Sequence, residues 1–429
     1  MLRLIQVFTA ALTIGASALG HDETPDLRDR VVFKDSDRDV LQCRVIEPFG
    51  EDEITVVRDG KKDTIPRKQV AEMDLVNDRL IAWLARRDPR VDGAEANFVL
   101  AKDAEQAGLY EMAALQAMFV ERLDPKHQEA KALLKRLQAK GYGLVRRGQI
   151  RSEHFLVRTE LPLDYAVDVL LDLERFYVHW WQTWAPKIRA REIVAEPMVF
   201  DIAVSQKKLA PLSSDRIPYY DPGSGNGTSF TYLERGADRP ERLFELATEQ
   251  ILYEQLPTKA GMGRDPRRGR QILHRKAAWL EIGFGHYLGS RFGGPAGYAS
   301  AQAGTPLLTK RSYRGVYSGV TGRLDLGITE RWDGLEDLIG WQFSQFHDQT
   351  KAHEFRWEAS KAFVEFLLDP STQVGPKSKQ RPTAPILVEY LRRAFREAHT
   401  GSSNFDECLG YPIEALDRSF SNWTRGRAQ

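Results

Sequence analysis

The chain has 429 residues, of which 42% are hydrophobic and 10% aromatic, so it is long enough for several domains with a sizeable core. With 61 basic and 60 acidic residues the charge is nearly balanced, which argues against nucleic acid or an anionic membrane surface as the main partner. Beyond the N-terminus no stretch approaches the ~18 uninterrupted apolar residues of a spanning helix, so no membrane span is expected.

Residues 1–20 are expected to be a secretory signal peptide. Met1-Leu2-Arg3 is a short positive start and Leu4 to Ala18 is mostly apolar or small. Ala18-Leu19-Gly20 then offers a small-x-small cleavage site before His21. An ordinary N-terminal helix or a retained anchor is the competing reading. The mature chain is accordingly expected to be exported, either periplasmic or extracellular. Cys43 and Cys408 lie near opposite ends. An oxidising compartment would permit them to pair, and two separate thiols fit the sequence equally.

Residues 26–76 read as short strands. They include Arg30 to Lys34, Val40 to Ile46, Glu53 to Arg58 and a strand from Thr64, with Asp59-Gly60 as a hairpin turn. Four or five strands at this spacing suggest a small SH3-like β-barrel. Residues 77–140 read as helices: one from Asn77, a pair over Ala94 to Ala107 and Leu109 to Leu123 broken at Gly108, and a third from His127 to Ala139. The runs AEQAGLYEMA (104–113) and LDPKHQEAK (123–131) resemble a tetratricopeptide-type helix pair. One such unit is too little for a free-standing solenoid, so a packing module or protein-contact surface is expected.

Residues 150–299 mix strands and helices. His154 to Thr159 reads as a strand and Pro162 to Trp184 as a long helix with an apolar stripe. The aromatics Phe176, Tyr177, Trp180, Trp181 and Trp184 read as core in preference to a ligand cage. Met198 to Val204 and Phe230 to Leu233 read as strands, with Tyr219 to Thr228 as a turn-rich loop between them. The basic segment 257–273 reads as a solvated loop able to cover a cleft. Residues 300–429 form a helical C-terminal part: a polar stretch, a strand over Arg323 to Ile328, helices over Trp332 to Phe346, Lys351 to Leu368 and Ile386 to Ala398, and a loop at 369–383. The fold class is thus α+β and multidomain.

Chemistry concentrates in RPERLFELATEQILYEQL (239–256) and HRKAAWLEIGFGHYLGSRFGG (274–294). Glu245 and Glu249 sit four apart, so both carboxylates project from one helix face. A solvated face is the plainer reading of that pair. The second segment carries Trp279, Glu281, Gly283, Gly285 and Tyr287.

This pair of segments resembles the gluzincin, or peptidase MA-like, clan of zinc metallopeptidases, as an exported bacterial member with a degenerate site. There a His-Glu-x-x-His helix supplies two zinc ligands and a general base, and a Glu before Gly on a second helix supplies the third ligand. Residue by residue, Glu245 falls at the first His, Leu246 at the base and Glu249 at the second His. Ile282 falls at the third ligand, with Glu281 one residue early. A second register, pairing Thr248-Glu249 with Leu252, keeps a base but has no ligand at either His position. The run Gln250-Ile251-Leu252-Tyr253 favours the first. The resemblance covers about residues 150–429. It implies zinc, yet all four chemical positions depart from the pattern, so no metal cofactor is expected. Any metal would have to use Glu245, Glu249 and Glu281, and Glu281 would need a rotation of about 100°, one residue of a helical turn. His274 and His286 are further candidates without a spacing rule to place them.

The expected function is therefore a catalytically inactive, gluzincin-like protein that binds or scaffolds an unidentified protein or peptide. The alternative is an active metal-dependent hydrolase with an atypical carboxylate site. A third reading is an adaptor working through the barrel and helix pair.

Overall fold

The architecture is that of a computed structural model, which describes residues 29–35, 40–86, 93–143, 148–192, 197–209, 218–221, 227–233, 241–256, 277–293, 306–321, 332, 334–341, 346, 351–375, 380–397 and 399–429. The signal-peptide segment, the basic loop at 257–273, His274 and the strand expected over Arg323 to Ile328 lie outside the described residues. The fold is mixed α+β.

The first sheet holds β1 (Asp29–Phe33), β2 (Leu41–Glu47), β3 (Glu53–Arg58), β4 (Lys61–Pro66) and β5 (Val70–Asp74). Its order is β4-β3-β2-β1-β5, antiparallel throughout. The β3–β4 hairpin turns at Asp59 (φ 51°) and Gly60 (φ 71°). Two consecutive left-handed residues match the right-handed twist of the strands, which is why Asp-Gly stands there. Val31, Cys43, Val45, Ile54, Val56 and Ile65 close a small core of their own. Buried Asp29 accepts the backbone N–H of Val45 at 2.9 Å and of Val76 at 2.8 Å, fastening the sheet to the first helix.

That helix is α1 (Val76–Arg86), followed by α2 (Ala94–Gln106), α3 (Tyr110–Leu123) and α4 (Gln128–Ala139). Gly108 takes φ +72° at the α2–α3 break. His127 is not the first residue of α4 but its cap, its Nδ1 accepting the Ala130 N–H at 3.2 Å.

The second sheet holds β6 (Gln149–Arg151), β7 (Phe155–Thr159), β8 (Met198–Ala203), β9 (Tyr219–Asp221) and β10 (Thr228–Tyr232), in the order β6-β7-β8-β10-β9. The three central strands run parallel and both edge strands antiparallel. Tyr219 to Asp221 is thus an edge strand and not the start of a turn. Tyr219 stacks on Phe230 of β10 with ring centroids 5.0 Å apart, a cross-strand aromatic pair that favours pairing over turning.

Helix α5 (Leu163–Thr183) packs against β6 and β7 of this sheet and leads into the short α6 (Ala185–Ile188). Its aromatics are core: Phe176, Tyr177 and Trp180 are fully buried. Then come α7 (Glu241–Gln255) and α8 (Ala278–Gly293). The C-terminal part contains α9 (Lys310–Val320), α10 (Leu335–Gly340), α11 (Lys351–Leu368), β11 (Gln373–Val374), β12 (Arg381–Pro382), α12 (Ala384–Glu397), α13 (Ser402–Leu409) and α14 (Asp417–Ala428).

Three expectations change here. The polar stretch after residue 306 contains α9, capped by Thr309 Oγ1, which accepts the Ser312 N–H at 3.1 Å. The helix expected over Trp332 to Phe346 shrinks to α10, because Gly334 has φ 127° and Trp341 is extended with ψ 129°. The loop expected over 369–383 also carries the small β11–β12 ribbon.

One hydrophobic core runs from Val76 on α1 to Phe420 on α14, so the α1–α4 helices share their interior with the second sheet and the C-terminal helices. Among the described residues no helix is long and apolar enough to cross a membrane. Cys43 and Cys408 are both free thiols.

Candidate functional site

The site is set by how closely α7 and α8 approach. Gln250 donates from Nε2 to the Val199 carbonyl at 2.8 Å and to Ser229 Oγ at 2.7 Å, which fixes the rotation of α7 over β8 and β10. On α8, a Cβ on Gly289 would lie 2.9 Å from the Glu241 carbonyl and 3.0 Å from Glu245 Cγ. Only a bare backbone fits there, and the acidic row of α7 is thereby pressed against α8.

At the centre of that row stands Arg242. Its Nη1 donates to Glu245 Oε2 at 2.9 Å and to Glu249 Oε1 at 2.9 Å. Its Nε and Nη2 donate to the Pro218 carbonyl at 3.4 and 3.2 Å, just before edge strand β9. The guanidinium carbon lies 5.2 Å from the ring centre of Trp357 on α11. Two carboxylates, a carbonyl and an aromatic face thus enclose one cation. The planar, permanently charged guanidinium suits this fork-shaped set of acceptors. Burial weakens the charged form of Arg242, but Glu249 and Glu245 outweigh it and hold its pKa above the ordinary value. Burial likewise pushes Glu245 up. The His286 hydrogen bond and the charges of Arg242 and Lys361 outweigh that, and hold the carboxyl well below its usual range.

Tyr219, Tyr220, Arg242, Glu249, Glu281 and Trp357 line a small pocket, with Ala278 and Ile282 as its apolar wall. Its free volume is ≈ 10 Å³, about the room for one water. One turn along α7 from Glu249, Glu245 Oε1 meets His286 Nδ1 of α8 at 3.1 Å, and that nitrogen also lies 3.3 Å from Ser290 Oγ. Ser290 in turn donates to Glu241 Oε2 at 3.1 Å. Serine and carboxylate meet the same imidazole nitrogen, whereas a nucleophilic relay needs them on opposite nitrogens.

The structure brings most of the sequence-derived positions together, with changed roles. Glu245 and Glu249 are 7% and 5% exposed, so the pair is a buried salt-bridged cluster and not a solvated face. Glu281 borders the same pocket as Glu249 without any helix rotation, and Ile282 borders it too. Leu246 is fully buried hydrocarbon in the main core. Zinc does not fit this set. A side-chain cation already holds both carboxylates, and neither Leu246 nor Ile282 carries a donor atom. Among the described residues, metal-ligand spacing falls instead on Glu241, Glu245 and His286, whose donor atoms lie within 4.8 Å of one another. Glu249 and Glu281 are outside that group.

Arg242, Glu241, Ser290 and Trp357 were not singled out from sequence. One signal was available: Glu241, Glu245 and Glu249 form an unbroken i, i+4, i+8 row, and Arg242 lies three and seven residues from two of them. No family model, curated protein or solved structure matches the chain.

Proposed function

We propose that the chain is an exported, catalytically inactive relative of the gluzincin peptidases, which uses a peptidase-like cleft to bind or scaffold a protein or peptide. The observation that carries this reading is Arg242, whose guanidinium bridges Glu245 and Glu249 at 2.9 Å each. These are the positions that the resemblance gives to zinc ligands. A fixed side-chain cation neutralises them and cannot activate water as a metal does. Leu246, at the position of the general base, cannot accept a proton. The order of a strand, long helix, mixed sheet and two packed site helices over residues 150–299, followed by the helical part at 300–429, supports the clan. In the same reading residues 26–76 are an SH3-like barrel and residues 77–140 a tetratricopeptide-like helix pair. Export rests on the composition of residues 1–20.

The test is incubation of the whole protein with a proteome-derived peptide pool, with and without added Zn²⁺, followed by mass spectrometry of peptide termini. The reading predicts no new termini under either condition and a reproducible subset of peptides retained on the protein. New termini that depend on Zn²⁺ and vanish in Glu249→Gln would overturn it in favour of the metal-dependent hydrolase.

A further inference from the structure

The second face of α7 is not absorbed by the Arg242 cage. Glu241 and Glu245 project one turn apart toward α8, where His286 and Ser290 project back, also one turn apart. Donor atoms of Glu241, Glu245 and His286 lie within 4.8 Å of one another. His286 Nδ1 is 3.1 Å from Glu245 Oε1, and Ser290 Oγ is 3.1 Å from Glu241 Oε2 and 3.3 Å from His286 Nδ1. Around a tetrahedral Zn²⁺ with bonds of about 2.0–2.2 Å, neighbouring donors stand roughly 3.3–3.5 Å apart. At 3.1 Å the buried pair lies just inside that spacing and would open by a few tenths of an ångström, while the exposed side chain of Glu241 closes in.

A second observation points the same way. The His286 side chain is 9% exposed, and its Nδ1 is aimed into this cluster. Its Nε2 is buried with no hydrogen-bond partner among the described residues. The hydrogen bonds that orient this buried ring therefore come from the cluster itself. Nδ1 shares its proton with Glu245 Oε1 and Ser290 Oγ, and a cation bound there would take that proton's place.

We propose that Glu241, Glu245 and His286, with Ser290 beside them, form a binding site for a divalent cation of the zinc class, one helical turn from the Arg242 cage. The two cations share Glu245: its Oε2 stays on Arg242 and its Oε1 turns to the metal. Arg242 thus acts as the outer-shell partner that orients the ligating carboxylate. One imidazole nitrogen and two carboxylate oxygens are a mixed donor set that favours Zn²⁺ over Ca²⁺ or Mg²⁺. Exposed Glu241 leaves an entry path from solvent. The ion would staple α7 to α8, and it does not need the peptidase-like reading to hold.

The test is calorimetric titration of the whole protein with Zn²⁺, repeated on Glu241→Gln, His286→Gln and Glu249→Gln, with melting curves as a check on folding. Glu241→Gln changes an exposed side chain and keeps the fold, so it protects the test should His286→Gln unfold. The proposal predicts one equivalent bound, affinity reduced at least about tenfold in Glu241→Gln and His286→Gln, and a smaller loss in Glu249→Gln, which reaches the ion only through Arg242. Absence of binding would overturn the site and leave the proposed function standing. Affinity lost in Glu249→Gln but kept in Glu241→Gln would overturn both, since the metal would then displace Arg242 from its cage.

Discussion

The side chains around Arg242 separate what spacing can reveal from what it cannot. Two carboxylates four apart on a helix share a face whatever surrounds them, so the Glu245/Glu249 pair was legible in the sequence. Their burial was not. It depends on α8 lying within backbone contact, and on Arg242 folding back along its own helix to reach both while also binding Pro218. That geometry makes the ionised state of Glu245 part of the fold. Its folded pKa is lowered from the ordinary 4.5. The stability it contributes is therefore fully present above that value, and is lost as pH falls through it toward the folded value. We expect the stability difference between the wild type and Glu245→Gln, measured by urea unfolding, to be undiminished from pH 7 to pH 5 and to shrink as the pH falls below about 4.5. A difference already gone at pH 5 would contradict this account of the carboxylate.

At the scale of elements, the sequence was informative where one local rule decides. Asp59-Gly60 dictates its hairpin, Gly108 its helix break and the stripe of α5 its buried face. It was less informative where tertiary contacts decide. Strand β9 is three residues long and exists because Tyr219 finds Phe230 across the ladder. Helix α9 reads as polar because Lys310, Arg311, Ser312 and Arg314 outnumber its buried Tyr313 and Val316. The α8 glycines belong to the same class: their spacing looked like a family phrase, and packing supplies its reason. A Cβ on Gly283 would lie 2.5 Å from the Ser360 carbonyl and 2.5 Å from Val364 Cγ2, while one on Gly315 of α9 would meet nothing within 4 Å. Gly283→Ala should destabilise by about 1–3 kcal/mol, as overpacking of a close helix contact does. Gly315→Ala should be neutral or stabilising by up to about 1 kcal/mol through helix propensity. Chemical unfolding of the two variants side by side checks the contrast, and equal effects would contradict the packing argument.

Across the whole molecule, the α+β character was legible in the chain order of strand and helix signals, and the continuity of the core was not. Residues from Val76 to Phe420 contribute to one interior, while the first sheet keeps its own. The site lies within that large interior, where a misplaced charge is costly, and this is why an arginine there must be matched by both glutamates. The central claim is that Arg242 serves as the fixed counter-cation of Glu245 and Glu249. A double-mutant cycle between Arg242→Ala and Glu249→Gln, read by equilibrium unfolding of the whole protein, tests it most directly. The account predicts a coupling of at least about 1.5 kcal/mol, with Arg242→Ala alone costing roughly 3–5 kcal/mol. Additivity within about 0.5 kcal/mol would show that the two side chains do not depend on each other, and would contradict it.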